Sequence, residues 1–527
     1  MPKALRNAMP LILLALFVRS PRSLAAARPT VTSPAGAVRG KLSADGGIRI
    51  FLGIPYATPP IGPLRWKPPQ PLAPWKGVRD ATSFGHRCMQ ARIYDDMIFR
   101  DPGMSEDCLS LNIWAPAAPA GNKLPVMVWI YGGGFQAGTT SEPRQDGETL
   151  AHNGVIVVSM NYRLGILGFL ATHELAAESP HHAAGNYGLL DQSAALHWVK
   201  DNIAAFGGDP ANITIFGESA GSFSVSYQMA SPLSRDIPAH AIGESGAAFG
   251  KGSIVDHDLA ATEADGEKFA KEELHADSLK ALRAISADEL IQKTSPRPNF
   301  NAFRFMPTVD GYFIPEKAEA IFDAGKQAQI PLLAGWNKNE LSFARVNAPK
   351  VDRKALDELA TKKFGPDAGE FLQVYHATTD DEAAVVAGNY ADDEFLGYCT
   401  WAWLEAQVAT GHAPVYRFRF DLGIPGSPEH PAALGAYHSD EIEYVFGTLD
   451  SRKGFAWRPE DYQLSKLMQT YWTNFAKIGN PNSDGNPDWP MYNAAGGWQV
   501  MHLDATSAAR PDLHRDRYLF LRRHWKK

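Results

Sequence analysis

Four short apolar runs alternate with helical sequence between residues 125 and 246, and this alternation limits the fold more than any other feature. The apolar runs are Pro125–Gly134, Val155–Arg163, the NITIFGES segment at 212–219 and the HAIGESG segment at 240–246. Helical spacing is found at 188–208, with a stop at Gly207, and at 220–231. Apolar strands separated by helices predict an α/β fold with a mainly parallel central sheet flanked by helices.

The remaining sequence adds helices without dividing the chain. Charged, alanine-rich helical sequence dominates between about Asp256 and Pro298 and between Val351 and Gln407. No internal repeat and no low-complexity linker is present. We therefore predict one domain over residues 28–527, with helical insertions at about 255–330 and 345–420 over one end of the sheet. A last long helix is predicted at 462–478.

The composition excludes some partners and the first residues predict export. The chain has 527 residues, a formal net charge of −7 and no basic stripe or long run of lysine and arginine, which argues against nucleic acid. Lys3 and Arg6 precede the apolar segment Met9–Val18, and small residues follow at 23–27. This segment is shorter than the roughly 20 residues that span a bilayer, so residues 1–27 read as a cleaved secretory signal peptide. No later segment predicts stable membrane insertion.

The three cysteines fit an exported protein. Cys88 and Cys108 flank a polar, loop-like stretch, so a disulfide between them is plausible and would stabilise the fold by roughly 3 kcal/mol. Cys399 has no obvious partner and is predicted to be a buried thiol. A metal site is the weaker interpretation, because no paired Cys/His spacing occurs.

The sequence GESAG at Gly217–Gly221 places a serine between two glycines where a strand gives way to a helix. Alone, this pattern is compatible with an ordinary tight turn. In an α/β sheet it raises the hydroxyl of Ser219 above the sheet edge, and the two flanking glycines remove side chains that would clash in so sharp a turn. The helix from Ala220 directs its free amides at a developing oxyanion. The similar GESGA at 243–247 has its glycine one position early, so Ser245 is interpreted as structural.

Three consecutive glycines follow the first apolar strand, in YGGGF at Tyr131–Phe135. Alone, such a run is more often a flexible turn. Upstream of G-x-S-x-G, it lets backbone N–H groups approach an oxygen with no side chain in the way. We therefore predict an oxyanion hole from the amides of Gly133, Gly134 and Ala220.

Longer motifs resemble one family. WIYGGGFQAG (129–138), SEDCLSLNIWAP (105–116), the stretch from Gly185 to Gly221 and FLGIPYATPPIGPLRWKPPQP (51–71) are similar to the type-B carboxylesterases. These form the branch of the α/β-hydrolases that includes the cholinesterases. The likeness runs from about residue 30 to the end and is weaker between 255 and 400. It implies an α/β-hydrolase fold, hydrolysis of a small-molecule ester, and no metal or organic cofactor.

The resemblance also implies a Ser–Glu–His triad. Ser219 matches the nucleophile, Glu340 in LLAGWNKNELSFA matches the acid, and His438 in GAYHSDEIEYVFG matches the base. Asp310 is a rival acid, but its PTVDGYF context resembles a structural turn of the family. By the same resemblance, Glu218 is predicted to join Ser245 in a buried polar network behind the triad.

Departures from the family bear on the substrate. In cholinesterases the first disulfide loop carries a tryptophan that faces a quaternary ammonium, whereas the loop here has Tyr94 and Phe99 but no tryptophan. A choline ester is therefore disfavoured. The one N-x-S/T sequon, at Asn212, opens the strand before Ser219, where a glycan would clash with the fold.

These observations predict an exported serine carboxylesterase that acts on small or medium carboxylic esters in an aromatic-lined gorge. Two alternatives remain at this point. An acyltransferase or an amide or carbamate hydrolase would use the same acyl-enzyme. A binding protein of the same fold is also possible, although the complete triad argues against it.

Overall fold

A computed structural model describes residues 28–118, 121, 123–250, 257–296, 303–346, 348–427 and 431–525. The predicted signal peptide lies outside the described residues, as do short parts of both predicted insertions. The strands, in chain order, are β1 (Thr30–Ser33), β2 (Gly36–Arg39), β3 (Lys41–Leu42), β4 (Ile48–Pro55), β5 (Val78–Asp80), β6 (Arg87–Cys88), β7 (Met104–Ser105), β8 (Ser110–Pro116), β9 (Leu124–Ile130), β10 (Ile156–Met160), β11 (Gly208–Glu218), β12 (His240–Glu244), β13 (Leu332–Asn337), β14 (Val415–Phe420), β15 (Gln499–Leu503) and β16 (Ala508–Pro511).

The α-helices surround these strands. They are α1 (Glu148–Ala151), α2 (Gly165–Phe169), α3 (His173–Glu178), α4 (Tyr187–Asn202), α5 (Ala220–Ala230), α6 (Leu259–Glu272), α7 (Leu279–Ala284), α8 (Ala287–Thr294), α9 (Ala318–Asp323), α10 (Arg353–Phe364), α11 (Ala368–Val374), α12 (Asp380–Asp392), α13 (Tyr398–Thr410), α14 (Ile442–Phe446), α15 (Pro459–Ile478) and α16 (Arg515–Trp525).

One large sheet organises the molecule. Its strand order is β16-β15-β14-β13-β12-β11-β9-β10-β8-β4-β3. The pairs from β10 through β9, β11, β12, β13 and β14 to β15 are parallel, and antiparallel strands complete both edges. The prediction of a mainly parallel sheet is confirmed.

The central strands are apolar on both faces, since helices cover both sides. In β9 the residues from Val126 to Ile130 are fully buried, and β10 and β13 are buried throughout. A strand buried on both faces reads as a continuous apolar run rather than an alternating one. The four predicted runs therefore correspond to β9, β10, β11 and β12.

The helix predictions hold with small shifts of boundary. Helix α4 continues as a short 3₁₀ turn to Phe206, and Gly207 ends it with a φ of 96°. The last long helix, α15, begins three residues earlier than predicted. Pro459 occupies its first turn, and the Asp461 carboxylate accepts a hydrogen bond from the backbone N–H of Arg458.

The two weakly recognisable regions are helical where they are described. Helices α6 to α9 lie between β12 and β13, and α10 to α13 lie between β13 and β14. In the part of the chain covered by the described ranges, no helix is long and apolar enough to cross a membrane.

Candidate active site

Ser219 stands at a sharp turn between β11 and α5. Its φ of 54° and ψ of −124° lie outside the regions that a serine usually adopts. The turn is possible because an added Cβ at Gly221 would overlap the carbonyl oxygen of Ile130, and one at Gly217 would come within 2.6 Å of the same oxygen. Both glycines are therefore required by close backbone approach, as the sequence predicted.

Glu340 follows β13 and is fully buried. Its Oε1 accepts hydrogen bonds from the backbone N–H of Asn337 at 2.8 Å and from the hydroxyl of Ser245 at 2.6 Å. Its Oε2 lies 2.8 Å from Nδ1 of His438. Three donors thus hold the carboxylate in one orientation.

His438 joins the serine to the acid. Its Nε2 lies 3.0 Å from Oγ of Ser219, while Nδ1 faces Glu340. The histidine side chain keeps 18% of its surface exposed, so a ligand can reach it. The structure therefore brings all three predicted triad residues into one hydrogen-bonded line, each from the loop after a different strand.

A second carboxylate faces the histidine. Oε1 of Glu218 lies 3.2 Å from Nε2 of His438, the same nitrogen that faces Ser219. Burial lowers the pKa of His438, but the negative charges of Glu218 and Glu340 outweigh it and raise the pKa to about 9. Burial has the opposite effect on a carboxyl group and raises the pKa of Glu218 to about 7. The protonation of His438 therefore depends on that of Glu218, and the reverse.

Glu218 and Ser245, which were predicted to form a buried polar network, each contact a different triad residue. Ser245 donates its hydroxyl to Glu340, and Glu218 faces His438. Ser245 follows β12 and has a φ of 59°, a backbone turn like that of Ser219 on the neighbouring strand. Both groups therefore contact the triad line, one at each end.

The triple glycine lies beside Ser219. Gly133 and Gly134 have φ values of 100° and 63°, which favour glycine. An added Cβ at Gly132 would come within 3.0 Å of the Ser219 Cβ. The loop after β9 and the start of α5 thus meet at the serine, as an oxyanion hole requires.

A gorge of about 480 Å³ opens over these residues. Its apolar lining comes mainly from Tyr94, Met97, Phe343, Tyr437 and Ile442. An aromatic lining was predicted, and three of these side chains supply it. A volume in this range suits a small or medium organic ligand.

One wall of the gorge is formed in part by a disulfide loop. Cys88 and Cys108 are bonded, as predicted, and Ile93, Tyr94 and Met97 from the loop between them line the gorge. Cys399 is a buried free thiol, also as predicted.

Asp310, the rival acid, and Asn212, the residue of the glycosylation sequon, both have structural roles. Oδ1 of Asp310 accepts backbone hydrogen bonds from Tyr312 and Ile314, which makes it the structural turn expected. The side-chain amide of Asn212 donates to the carbonyl of Lys477. A glycan on this nitrogen would break that contact.

Two arginines near the histidine were not among the predicted site residues. Arg144 donates to the carbonyl oxygen of Ser439, and Arg452 donates to the hydroxyl of Tyr437 at 2.7 Å. Neither arginine lies in a recognisable motif, and each is brought close by the fold. No local sequence signal could have identified either of them.

The model of the carboxylesterase family matches residues 27–520 of this sequence. The chain belongs to the carboxylesterase family. It is a carboxylic ester hydrolase with the α/β-hydrolase fold, as the resemblance implied.

Several carboxylesterases are similar over most of their length. Fumonisin B1 esterase of Sphingopyxis macrogoltabida is 39% identical over 88% of this chain and 84% of its own. Human cocaine esterase is 34% identical over 98% and 94%, and para-nitrobenzyl esterase of Bacillus subtilis (strain 168) is 36% identical over 88% and 92%. The solved structure of a PNB esterase superposes with a TM-score of 0.78 at 34% identity, covering 94% of this carboxylesterase and all of that chain.

Proposed function

We propose that the protein is an exported serine carboxylesterase that works through Ser219, His438, Glu340 and an acyl-enzyme. The observation that carries this proposal is the line from Ser219 Oγ to His438 Nε2 at 3.0 Å and from Nδ1 to Glu340 at 2.8 Å. A nucleophile, a base and a group that orients the base are the parts such chemistry needs.

The proposed reaction begins with proton transfer. Ser219 Oγ attacks the ester carbonyl carbon while His438 Nε2 takes its proton, and Glu340 stabilises the resulting imidazolium. The imidazolium then protonates the departing alcohol, which leaves the acyl group on the serine. Water attacks this acyl-enzyme by the same steps and releases the acid. These steps require no metal or organic cofactor.

The oxyanion of each tetrahedral intermediate would be held by the amides of Gly133, Gly134 and Ala220. The positive φ values of both glycines and the helix start at Ala220 support this assignment. Loss of one such donor typically costs about 3 kcal/mol of transition-state stabilisation.

Glu218 and Ser245 would support the triad in different ways. Glu218 offers the imidazolium a second negative charge 3.2 Å from Nε2. Ser245 keeps Glu340 oriented through its 2.6 Å hydrogen bond. Glu218 would therefore raise the proton affinity of His438, and Ser245 would fix the position of the Glu340 carboxylate.

The gorge supports small or medium esters as substrates. Its lining includes Tyr94, Phe343 and Tyr437, and no tryptophan is among the described lining residues. The lining therefore gives no support to a choline ester. Relatives named as esterases of fumonisin B1 and cocaine further support an ester as the substrate.

Export and domain organisation are part of the proposal. The Cys88–Cys108 disulfide supports an oxidising compartment and thus a cleaved signal at residues 1–27. The family match over residues 27–520 and the continuous hydrophobic core support a single domain over residues 28–527.

Covalent labelling tests the nucleophile and the export together. Ser219 Oγ should attack the phosphorus of a fluorophosphonate ester and displace fluoride while His438 takes the serine proton, which leaves a stable phosphonyl ester on Ser219. Mass spectrometry of the exported protein should locate the adduct in the peptide containing GESAG and find the N-terminus near residue 28. A label elsewhere would refute the nucleophile, and an uncleaved N-terminus would refute the signal.

The labelled residue does not distinguish ester hydrolysis from the alternatives that share an acyl-enzyme. A chain-length series of p-nitrophenyl esters, matched p-nitroanilides and added alcohol acceptors separates them. We expect turnover of esters, slow reaction of anilides and little transfer to alcohol. No labelling and no turnover across the series would favour the binding-protein alternative.

Glu218→Gln should move the acidic limb of the kcat/KM profile to lower pH. His438 must be neutral to accept the serine proton, and the negative charge of Glu218 raises its pKa. Removing that charge lowers the histidine pKa, so the neutral base persists at lower pH, by roughly one pH unit. The profile of p-nitrophenyl ester hydrolysis measures the shift.

Asp95→Asn is the matched control for this prediction. Asp95 also lines the gorge, but its side chain is 97% exposed, so solvent screens its charge. Its profile should follow that of the wild type. A Glu218→Gln limb that stays in place or moves to higher pH would contradict the assignment.

A further inference from the structure

The residue after His438 has a strained backbone that one arginine holds. Ser439 has a φ of 69°, in the left-handed region that non-glycine residues rarely adopt. Arg144 donates from Nη2 to the carbonyl oxygen of Ser439. Such a conformation persists only where its surroundings fix it.

A second arginine holds the other side of the histidine. Arg452 donates from Nη2 to the hydroxyl of Tyr437 at 2.7 Å and from Nη1 to Asp440 at 3.0 Å. Asp440 accepts a further hydrogen bond from the backbone N–H of Tyr437. Residues 437–440, here called the histidine loop, are thus held on both sides of His438.

The two arginines share one buried acid. Nε of Arg144 lies 3.1 Å from Oε1 of Glu443, and Nε of Arg452 lies 3.7 Å from the same oxygen. The Glu443 side chain is fully buried. Arg144 follows the glycine loop of β9, whereas Arg452 follows α14. Glu443 therefore ties the segment beside the predicted oxyanion hole to the histidine loop.

We propose that Arg144 and Arg452, here called the arginine clamp, are positioning residues that set how His438 faces Ser219. Their described hydrogen bonds go to the histidine loop and to Glu443, so they act through the backbone that carries the base. The inference deepens the proposed esterase function and rests on it. A displacement of about 1 Å at a reacting group can reduce the rate about 100-fold.

Charge supports the same assignment. The positive charge of Arg144 lowers the pKa of His438, opposing Glu218 and Glu340. The other group packed on the histidine ring is the uncharged ring of Phe395, at 5.5 Å between centroids. Loss of Arg144 should therefore raise the histidine pKa as well as loosen the loop.

The clamp also borders open space. A cavity of about 380 Å³ next to the gorge is lined by both arginines, Glu443 and Phe455. If Arg144 is shortened, a small guanidinium ion can enter from this cavity and occupy the vacated position. This makes chemical rescue available as a readout that general loss of stability would not produce.

The first variants to test are Arg144→Ala and Arg144→Lys, measured in the full mature chain with a short p-nitrophenyl ester. We expect kcat to fall about 100-fold for the alanine variant with little change in KM. The acidic limb of the pH profile should move to higher pH, and added methylguanidine should restore part of kcat. Lysine keeps the charge without the planar fork, so its kcat should be intermediate.

Arg417→Ala is the matched control. Arg417 is also a buried arginine in an ion pair, with Asp512, and it contacts Trp336 instead of the histidine loop. This variant should lower the unfolding midpoint but leave the pH profile unchanged and gain nothing from methylguanidine.

The outcomes separate the two proposals. A wild-type protein without esterase activity would refute the proposed function. An active wild type whose folded clamp variants keep the wild-type kcat and pH profile would refute the clamp alone. If Arg144→Ala does not fold, the same measurements on Arg144→Lys and Arg452→Lys test the clamp instead. Both of these variants keep the buried positive charge.

Discussion

Ser219→Ala should reduce kcat for p-nitrophenyl esters on the order of 10⁵-fold while the protein remains folded. The serine hydroxyl is the group that would form the acyl-enzyme, and its Oγ lies 3.0 Å from Nε2 of His438. Alanine can occupy the same turn with strain like that of serine, so the unfolding midpoint should change little. Initial rates and circular dichroism measure the two effects.

Ser245→Ala is the control for this variant. Ser245 also follows a strand of the sheet, has a φ of 59° and is fully buried. It contacts Glu340 and not the proposed nucleophile, so its loss should reduce kcat only modestly. Retention of more than about 1% of wild-type kcat by Ser219→Ala would refute the assignment of the nucleophile.

Gly221→Ala should destabilise the fold and disable the active site together. The added Cβ would overlap the carbonyl oxygen of Ile130 and come within 2.9 Å of its carbonyl carbon. These are backbone atoms of β9, so either the strand or α5 has to move. Overpacking of this kind costs roughly 1–3 kcal/mol, and the movement would displace Ser219. The denaturant concentration at the unfolding midpoint and kcat should both fall.

Gly369→Ala provides a matched comparison. Gly369 lies in α11, is exposed, and an added Cβ there meets nothing within 4 Å. Alanine in an open helical position should stabilise the protein by up to about 1 kcal/mol and leave activity unchanged. If Gly221→Ala is also as stable and as active as the wild type, the close approach of backbone atoms at the turn does not contribute to stability.

The turn at Ser219 could be predicted because its causes are local. Backbone atoms come very close wherever a strand and a helix meet at so sharp an angle, so Gly217 and Gly221 are needed there. Both glycines are part of the G-x-S-x-G motif. The central strands were equally readable, since burial on both faces makes β9 and β10 continuous apolar runs.

The antiparallel edge of the sheet was less readable. The sequence pattern identified no strand before residue 125, yet β4 and β8 form a long antiparallel pair. The pairing shifts register between Phe51 and Ile54, and Gly53 there has a φ of 68°. A bulge interrupts the alternation of side chains that would otherwise mark a strand.

The arginine clamp could not be predicted from local sequence at all. Arg144 and Ser439 are 295 residues apart, and the contact is made only when the loop after β9 meets the histidine loop. Nothing in the residues around Arg144 marks it as a partner of a catalytic group. The family motifs identified His438 but not what holds it.

The disulfide between Cys88 and Cys108 has an evolutionary consequence. It closes the loop that supplies Ile93, Tyr94 and Met97 to the gorge wall, while the proposed triad residues follow strands of the sheet. Mutations within this covalent ring can reshape that wall without disturbing the strand ends that carry the proposed triad. The set of accepted esters can therefore change while the positions of the proposed triad residues stay fixed.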